Sequence, residues 1–171
     1  MRNKFVFLLI VLQLWDFAMP SPTVDDPLQL VESNRTVVNV DVECKYRTNF
    51  PIQIGKKFYH VETELEVSWY QAAHNCRKLG GHLLNIESST EMDLILSAIP
   101  SSRYWISGNC LAEYREWISI ATGETVPYLR WQEGEPNNLF GEEFCVEIKR
   151  TLLNDDDCRL SLNYICEAKT L

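Results

Sequence analysis

Glu135, Asn137 and Glu143 lie within nine residues of one another, in the run GEPNNLFGEEFC that ends on Cys145. A second oxygen-rich pair, Asn154 and Asp155, lies in the run LLNDDDC that ends on Cys158. Carboxylates and carboxamides are hard oxygen donors, and a cation such as calcium takes about 6 to 8 oxygens at roughly 2.4 Å. A protein site for it therefore needs several such side chains meeting at one point, more than either run supplies alone. If Cys145 pairs with Cys158, the bridge closes the gap, because Cα atoms joined by a disulfide sit about 5.5 Å apart. Three carboxylates crowded together without a cation raise one another's pKa and destabilise the fold. Such a cluster either holds a metal or stays splayed in water. Composition alone favours splayed acidic loops; the spacing speaks for the metal.

No competing chemistry has comparable support. His60, His74 and His82 show no metal-binding spacing, and the chain contains neither a GxSxG elbow nor a phosphate loop. No carboxylate pair comes with a base or nucleophile of its own, so no catalytic residue is assigned and the chain reads as a binding protein rather than an enzyme. Asp156 and Asp157 are assigned to solvent, since neighbours one residue apart on an exposed turn point in different directions. Trp69, Trp105, Trp117 and Trp131 fall in helix or strand patterns and are assigned to the core. Phe140 lies between the acidic clamp and Cys145, where its ring either packs within the loop or faces a ligand.

The surroundings suit an exported protein. Arg2 and Lys4 precede an apolar run from Phe5 that is far shorter than the roughly 20 residues of a membrane span, so residues 1–20 read as a secretory leader. No later stretch is long and apolar enough to anchor the chain. Lys and Arg number 16 against 24 Asp and Glu, a net charge of −8. Loss of the leader, with Arg2, Lys4 and Asp16, makes it about −9, a surface that repels nucleic acid. Six cysteines, at 44, 76, 110, 145, 158 and 166, read as disulfides in an oxidising compartment, with 15 pairings open. Asn34 begins a glycosylation sequon, Asn-Arg-Thr.

The elements that must position the acids follow from local pattern. Residues 21–44, rich in acids and poor in aromatics, read as a lead-in to a domain at 45–171. PIQIGKKFYHVE alternates around Gly55-Lys56 as a hairpin. Ser68 caps a helix over WYQAAHNCRKL, with Cys76 on its apolar stripe and Gly80-Gly81 ending it. HLLNIES is a short strand, and Ser88-x-x-Glu91 is a capping box for a second helix carrying Met92, Ile95, Leu96 and Ile99, closed by Pro100. YWIS, a hairpin EWISIATGETV, then YLRW, CVEIK and NYICEA read as short strands. The class is α+β.

With these elements in order, the chain resembles the C-type lectin domain over about 51–167, in particular the small secreted lectins of insects. The resemblance rests on Cys76 in the first helix, the strand YWISGN at 104–109 and the triplet Glu135-Pro136-Asn137. It continues with Cys145, Asn154-Asp155 three residues before Cys158, and the closing Cys166. It implies two helices with two small antiparallel sheets and a long calcium-binding loop region, stapled by Cys76–Cys166 and Cys145–Cys158. It also implies a cis Pro136 and one calcium held by Glu135, Asn137, Glu143, Asn154 and Asp155, the last also lending its backbone carbonyl. Two departures are visible. Leu153 stands where the family has tryptophan, and Asn138 and Phe144 stand where a second calcium would want acids. Cys44 and Cys110 lie outside the two family bridges, and are read as a third disulfide or as an intermolecular bridge through Cys44.

What the resemblance implies for function is a glycan-binding surface built from the same five side chains. Adjacent sugar hydroxyls would share lone pairs with calcium, donate to Glu135 and Glu143, and accept from Asn137 and Asn154. In similar lectins the Glu-Pro-Asn order suits equatorial 3- and 4-hydroxyls, those of mannose, glucose, N-acetylglucosamine or fucose, with a role in innate immunity or cell-surface recognition. One small wet site binds weakly, about 1 mM, so a homo-oligomer would supply avidity. The other reading is a calcium-independent protein-interaction module that keeps the fold without sugar binding.

Overall fold

A computed structural model describes residues 48–169. The leader, the lead-in, the Asn34 sequon and Cys44 lie outside the described residues. The hairpin forms where Gly55, at φ 61°, turns β1 (Ile52–Ile54) into β2 (Lys57–Val67). β2 runs five residues past the sequence pattern because its outer half pairs with the last strand through a bulge between Glu62 and Val67.

Helix α1 (Trp69–Leu79) starts where the Ser68 hydroxyl accepts the Gln71 N–H at 3.3 Å. It ends at Gly80, whose φ of 98° lets its N–H turn back to Arg77 and Cys76. Its buried stripe is Trp69, Ala72, Ala73 and Cys76, and the Trp69 indole donates to the Ile106 carbonyl at 2.8 Å. β3 (Gly81–Leu83) leads to α2 (Ser89–Ala98), which begins on the reciprocal cap. Ser88 accepts from Glu91 N, and the Glu91 carboxylate reaches one residue further back than a capping box requires, to Glu87 N at 2.7 Å. The other Glu91 oxygen accepts from Lys57 at 2.9 Å and from the Tyr59 hydroxyl at 2.8 Å, tying α2 to β2.

The remaining strands are β4 (Arg103–Asn109), β5 (Ile118–Ser119), β6 (Cys145–Lys149), β7 (Leu152–Asp156) and β8 (Leu162–Ala168). In place of the two separate antiparallel sheets expected, hydrogen bonding runs unbroken through β1-β2-β8-β4-β6-β7, with β3 on β8 and β5 on β4. The join is one short parallel pairing of β4 with β8, Tyr104 opposite Asn163 and Trp105 opposite Tyr164. It exists because the chain's last strand returns to lie between the first hairpin and β4. YLRW is not a strand: only Trp131 makes a bridge, to Leu153, and the hairpin around Gly123 keeps a single bridge, Ile118 to Thr125, while β5 pairs with β4.

The core divides by the period-two alternation of the central strands. Tyr164, Cys166 and Trp105 face α1 and Phe50 on one side. Ile165, Tyr104, Ile106, Val146, Ile148 and Leu153 face α2 through Met92 and Ile95 on the other. A disulfide between Cys76 and Cys166 fastens α1 to β8, and one between Cys145 and Cys158 fastens the start of β6 to the turn after β7.

Candidate metal centre

The five candidate ligands arrive from two directions. Asn154 and Asp155 lie on β7, in register with Glu147 and Val146 of β6, and are 3% and 1% exposed. Glu135, Asn137 and Glu143 lie on the loop between the Trp131 bridge and β6. The Glu135–Pro136 bond is cis, and Gly134, Asn138, Phe140 and Gly141 all have positive φ, so this loop is folded tightly on itself.

Asp155 is the post around which the loop is wound. Its Oδ1 accepts the Asn137 N–H at 3.0 Å and its Oδ2 the Asn138 N–H at 2.9 Å. The Asn137 N–H is shared with Glu135 Oε2 at 3.1 Å, which brings the Glu135 and Asp155 carboxylates side by side. Glu143 Oε2 accepts from Leu139 N at 2.7 Å, and Asn138 Oδ1 accepts from Glu143 N at 2.9 Å. Pro136, Asn138, Glu143, Asp155, Cys110 and Tyr114 help to line a recess of about 20 Å³. That volume fits one ion or water, not a sugar ring.

The distribution of positive charge separates these acids from their neighbours. Glu142 and Asp157 are both paired with Arg159, and Glu147 and Asp156 with Arg103. Asp156 and Asp157, assigned to solvent from the sequence, are thus each held by an arginine. Among the described residues no ion pair reaches Glu135, Glu143 or Asp155. Burial first, then the Asp155 carboxylate beside it, pushes Glu135 above its ordinary value. Burial also raises Glu143, helped by the charges of Asp155, Asp156 and Glu135 and opposed by the Leu139 N–H. Three carboxylates with no ion pair among the described residues, beside an ion-sized recess that Arg115 also lines, form with two carboxamides a donor set that fits calcium. Among the described residues no three His, Cys, Asp or Glu side chains alone make a metal cluster. A site here therefore needs the oxygens of Asn137 and Asn154 as well.

The shifts have a measurable consequence. Glu135 and Glu143, with the buried Glu147 and Glu167, all have folded-state values above the ordinary 4.5. The calcium-free fold thus binds these protons more tightly than the unfolded chain does. Their contribution to stability is fully present below the unfolded value and is lost as pH rises through the raised folded values. In chelator, the melting temperature is expected to rise as pH falls from about 7 to about 5. In saturating calcium it is expected to fall over the same window, because protons then displace the ion. Parallel slopes in the two series would contradict the assignment.

Phe140 answers the question its position raised. It is 92% exposed, which excludes packing within the loop, and its backbone stands at φ 57°, a region costly for a bulky side chain. Phe140→Gly is therefore expected to stabilise the calcium-free protein, by about 1 kcal/mol. A thermal melt in chelator reads this, and an unchanged or lower melting temperature would contradict it. Leu153 is fully buried, packed with Trp131, whose ring centroid lies 5.0 Å from that of Trp117. The missing tryptophan is thus replaced by neighbours, and β7 keeps its place. Cys110 is a buried free thiol, raised in pKa by burial, and its expected partner Cys44 lies outside the described residues.

Sequence reasoning named the ligand-type residues but missed Glu147 and Arg103. Neither carries a sequence signal: alternation in the strand CVEIK sets Glu147 on the face opposite Val146 and Ile148, where a charged residue reads as solvent-facing.

The model of the Lectin C-type domain matches residues 65–168. C-type lectin 37Db of Drosophila melanogaster is 37% identical over 123 residues, 69% of this chain and 81% of that protein. Two further insect relatives are longer, and this chain spans 49% of each. Among solved structures, the cow carbohydrate-recognition domain of CD23, crystallised in the presence of GlcNAc2Man3 oligosaccharide, is 30% identical. It superposes with a TM-score of 0.65 over 70% of this chain and 93% of that one. A calcium-independent type II antifreeze protein is 25% identical, with a TM-score of 0.62 over 70% and 92%. Among the described residues no helix is long and apolar enough to cross a membrane. The arrangement of two helices on a mixed sheet, with two disulfides bracing an oxygen-lined loop, agrees with these likenesses: the chain belongs to the C-type lectin domain family.

Proposed function

We propose that the chain is an exported lectin module that binds glycans through one calcium held by Glu135, Asn137, Glu143, Asn154 and Asp155, and that it is not an enzyme. The observation that carries this reading is the selective charge pairing among the described residues: Glu142 and Asp157 share Arg159, Glu147 and Asp156 share Arg103, and Glu135, Glu143 and Asp155 make no ion pair. When bound there, calcium supplies a Lewis acid for the lone pairs of two adjacent sugar hydroxyls. The chain's own residues do the rest. Glu135 and Glu143 each accept a hydroxyl proton, and Asn137, exposed on the outer side, offers an amide N–H. Glu135 on one side of Pro136 and Asn137 on the other set the order of acceptor and donor. That order favours equatorial 3- and 4-hydroxyls, hence mannose, glucose, N-acetylglucosamine or fucose. The exposed Phe140 ring would meet the apolar face of a bound sugar. A single site of this kind binds at about 1 mM, near 4 kcal/mol, so function requires several sites or copies.

Exchanging the pair, Glu135→Gln with Asn137→Asp, reverses donor and acceptor. It is expected to move preference from mannose toward galactose by at least about tenfold, roughly 1.4 kcal/mol, in competition assays. An unchanged ratio would contradict the hydroxyl assignment. The second reading, a calcium-independent interaction module, is favoured by the hydrogen bonds from the loop to Asp155, which hold its shape by protein groups alone. Retention on mannose-agarose with and without chelator separates the two: retention lost in chelator supports the lectin, and no retention in either condition supports the module.

A further inference from the structure

The pair of buried Glu147 and half-buried Arg103 sits directly behind the proposed ligands, and nothing in the function described so far uses it. Glu147 is 0% exposed at the centre of β6. Arg103 holds it in a two-point fork, Nε to Oε2 at 2.7 Å and Nη2 to Oε1 at 2.6 Å, and also reaches Asp156. Glu147 is the register partner of Asn154 on β7, and its Oε1 also accepts the Asn154 Nδ2 at 3.0 Å. The second Asn154 amide hydrogen goes to the Asp155 carbonyl at 2.7 Å. Asn154 Oδ1, on the other branch, takes no hydrogen bond among the described residues.

A carboxamide has a donor branch and an acceptor branch that differ little in shape, so a neighbour must decide which faces the site. A carboxylate decides it, because Glu147 accepts and cannot donate. Turning the Asn154 oxygen inward would set it against a buried carboxylate, with no hydrogen between them. Arg103 in turn fixes the Glu147 carboxylate, since a fork of two parallel bonds allows one orientation.

We propose that Glu147 and Arg103 are positioning residues that set the polarity of the Asn154 carboxamide, nitrogen inward and oxygen outward, and so complete the ligand set. The proposal rests on the calcium-lectin reading for its consequence but not for its geometry. It also sorts the two carboxamides by role. Asn154 is committed to the ion through its oxygen, with a hydrogen released for a sugar only when the Asp155 carbonyl turns to the metal. Among the described residues the Asn137 side chain has no such anchor, and it is the free donor.

The test uses the full chain. Single removal of Glu147 would leave Arg103 half paired, so the informative variant is Glu147→Leu with Arg103→Met, which removes both charges and leaves apolar bulk. Calcium titration calorimetry is expected to show a 10- to 100-fold loss of affinity. Glu147→Gln, which keeps an oxygen facing Asn154, is expected to recover most of it, with a loss under about threefold. The second readout needs no metal. In calcium-free protein the Asn154 side-chain amide protons, assigned by their disappearance in Asn154→Asp, are expected to be protected from exchange in the wild type. They are expected to exchange freely in the double variant. Protection that is equal in the two proteins overturns the proposal, as does wild-type calcium affinity in the double variant. A wild type that takes up no calcium overturns the lectin reading instead, and the amide protection still tests the positioning.

Discussion

Asp155→Ala is expected to lower calcium affinity more than 100-fold, over 2.7 kcal/mol, while leaving the fold standing. Asp155 is 1% exposed and accepts the N–H groups of both Asn137 and Asn138, so it supplies a ligand and also winds the loop that carries two others. Hydrogen bonds to a charged group contribute about 1.5–3 kcal/mol each. In calcium-free protein, however, the same change ends the repulsion between Asp155 and Glu135, which offsets much of that loss. The net cost in chelator is therefore small, about 1–2 kcal/mol, and the effect appears when calcium is added. Asp157→Asn is the control. Asp157 is two residues away, but its carboxylate is bound by Arg159, whose charge holds it below the ordinary carboxylate range. Calorimetry should find its calcium affinity within about threefold of wild type. Equal losses in the two variants would show that general negative charge, not a built site, attracts the ion.

Lys57→Met is expected to have the largest effect on stability, about 3–5 kcal/mol at neutral pH. The Lys57 ammonium meets Glu91 at 2.9 Å, Glu167 at 3.0 Å and Glu87 at 3.1 Å. Glu167 is almost fully buried, and its Oε2 also accepts from Asn85 N. The two ends of this cluster respond differently. Burial alone would lower Lys57, but its three carboxylates together outweigh that and raise it. Burial raises Glu167 more than Lys57 lowers it. The pair therefore compensates for buried charge rather than adding surplus stability, and its value lies in what its removal exposes. Without the ammonium, Glu167 must protonate or open the fold. The deficit should thus be greatest near neutral pH and shrink on acidification through the raised Glu167 value. Urea unfolding at pH 7 and pH 5 measures it, and a deficit independent of pH would contradict this account.

Local signals made much of the fold legible. Ser68 and Gly80 bracket α1 as the pattern required, and Cys76 faces the core because it shares a stripe with Trp69 and Ala72. Sheet topology was less legible. Nothing in NYICEA says that it will lie parallel to β4, because that pairing joins segments 59 residues apart through only two residues of each strand. YLRW has strand composition but no free ladder to join, so tertiary context overrides propensity and leaves one bridge. At the site, residue types and spacing pointed to the oxygen donors. They could not show which acids would be neutralised. Arg159 pairs with Glu142 across 17 residues and Arg103 with Asp156 across 53, and among the described residues these distant pairings leave Glu135, Glu143 and Asp155 without an ion pair.

The most direct measurement is isothermal titration of calcium into the metal-free chain at neutral pH and physiological salt. The account predicts one saturable site per chain, competed by protons and emptied by chelator. Heats indistinguishable from dilution would contradict it.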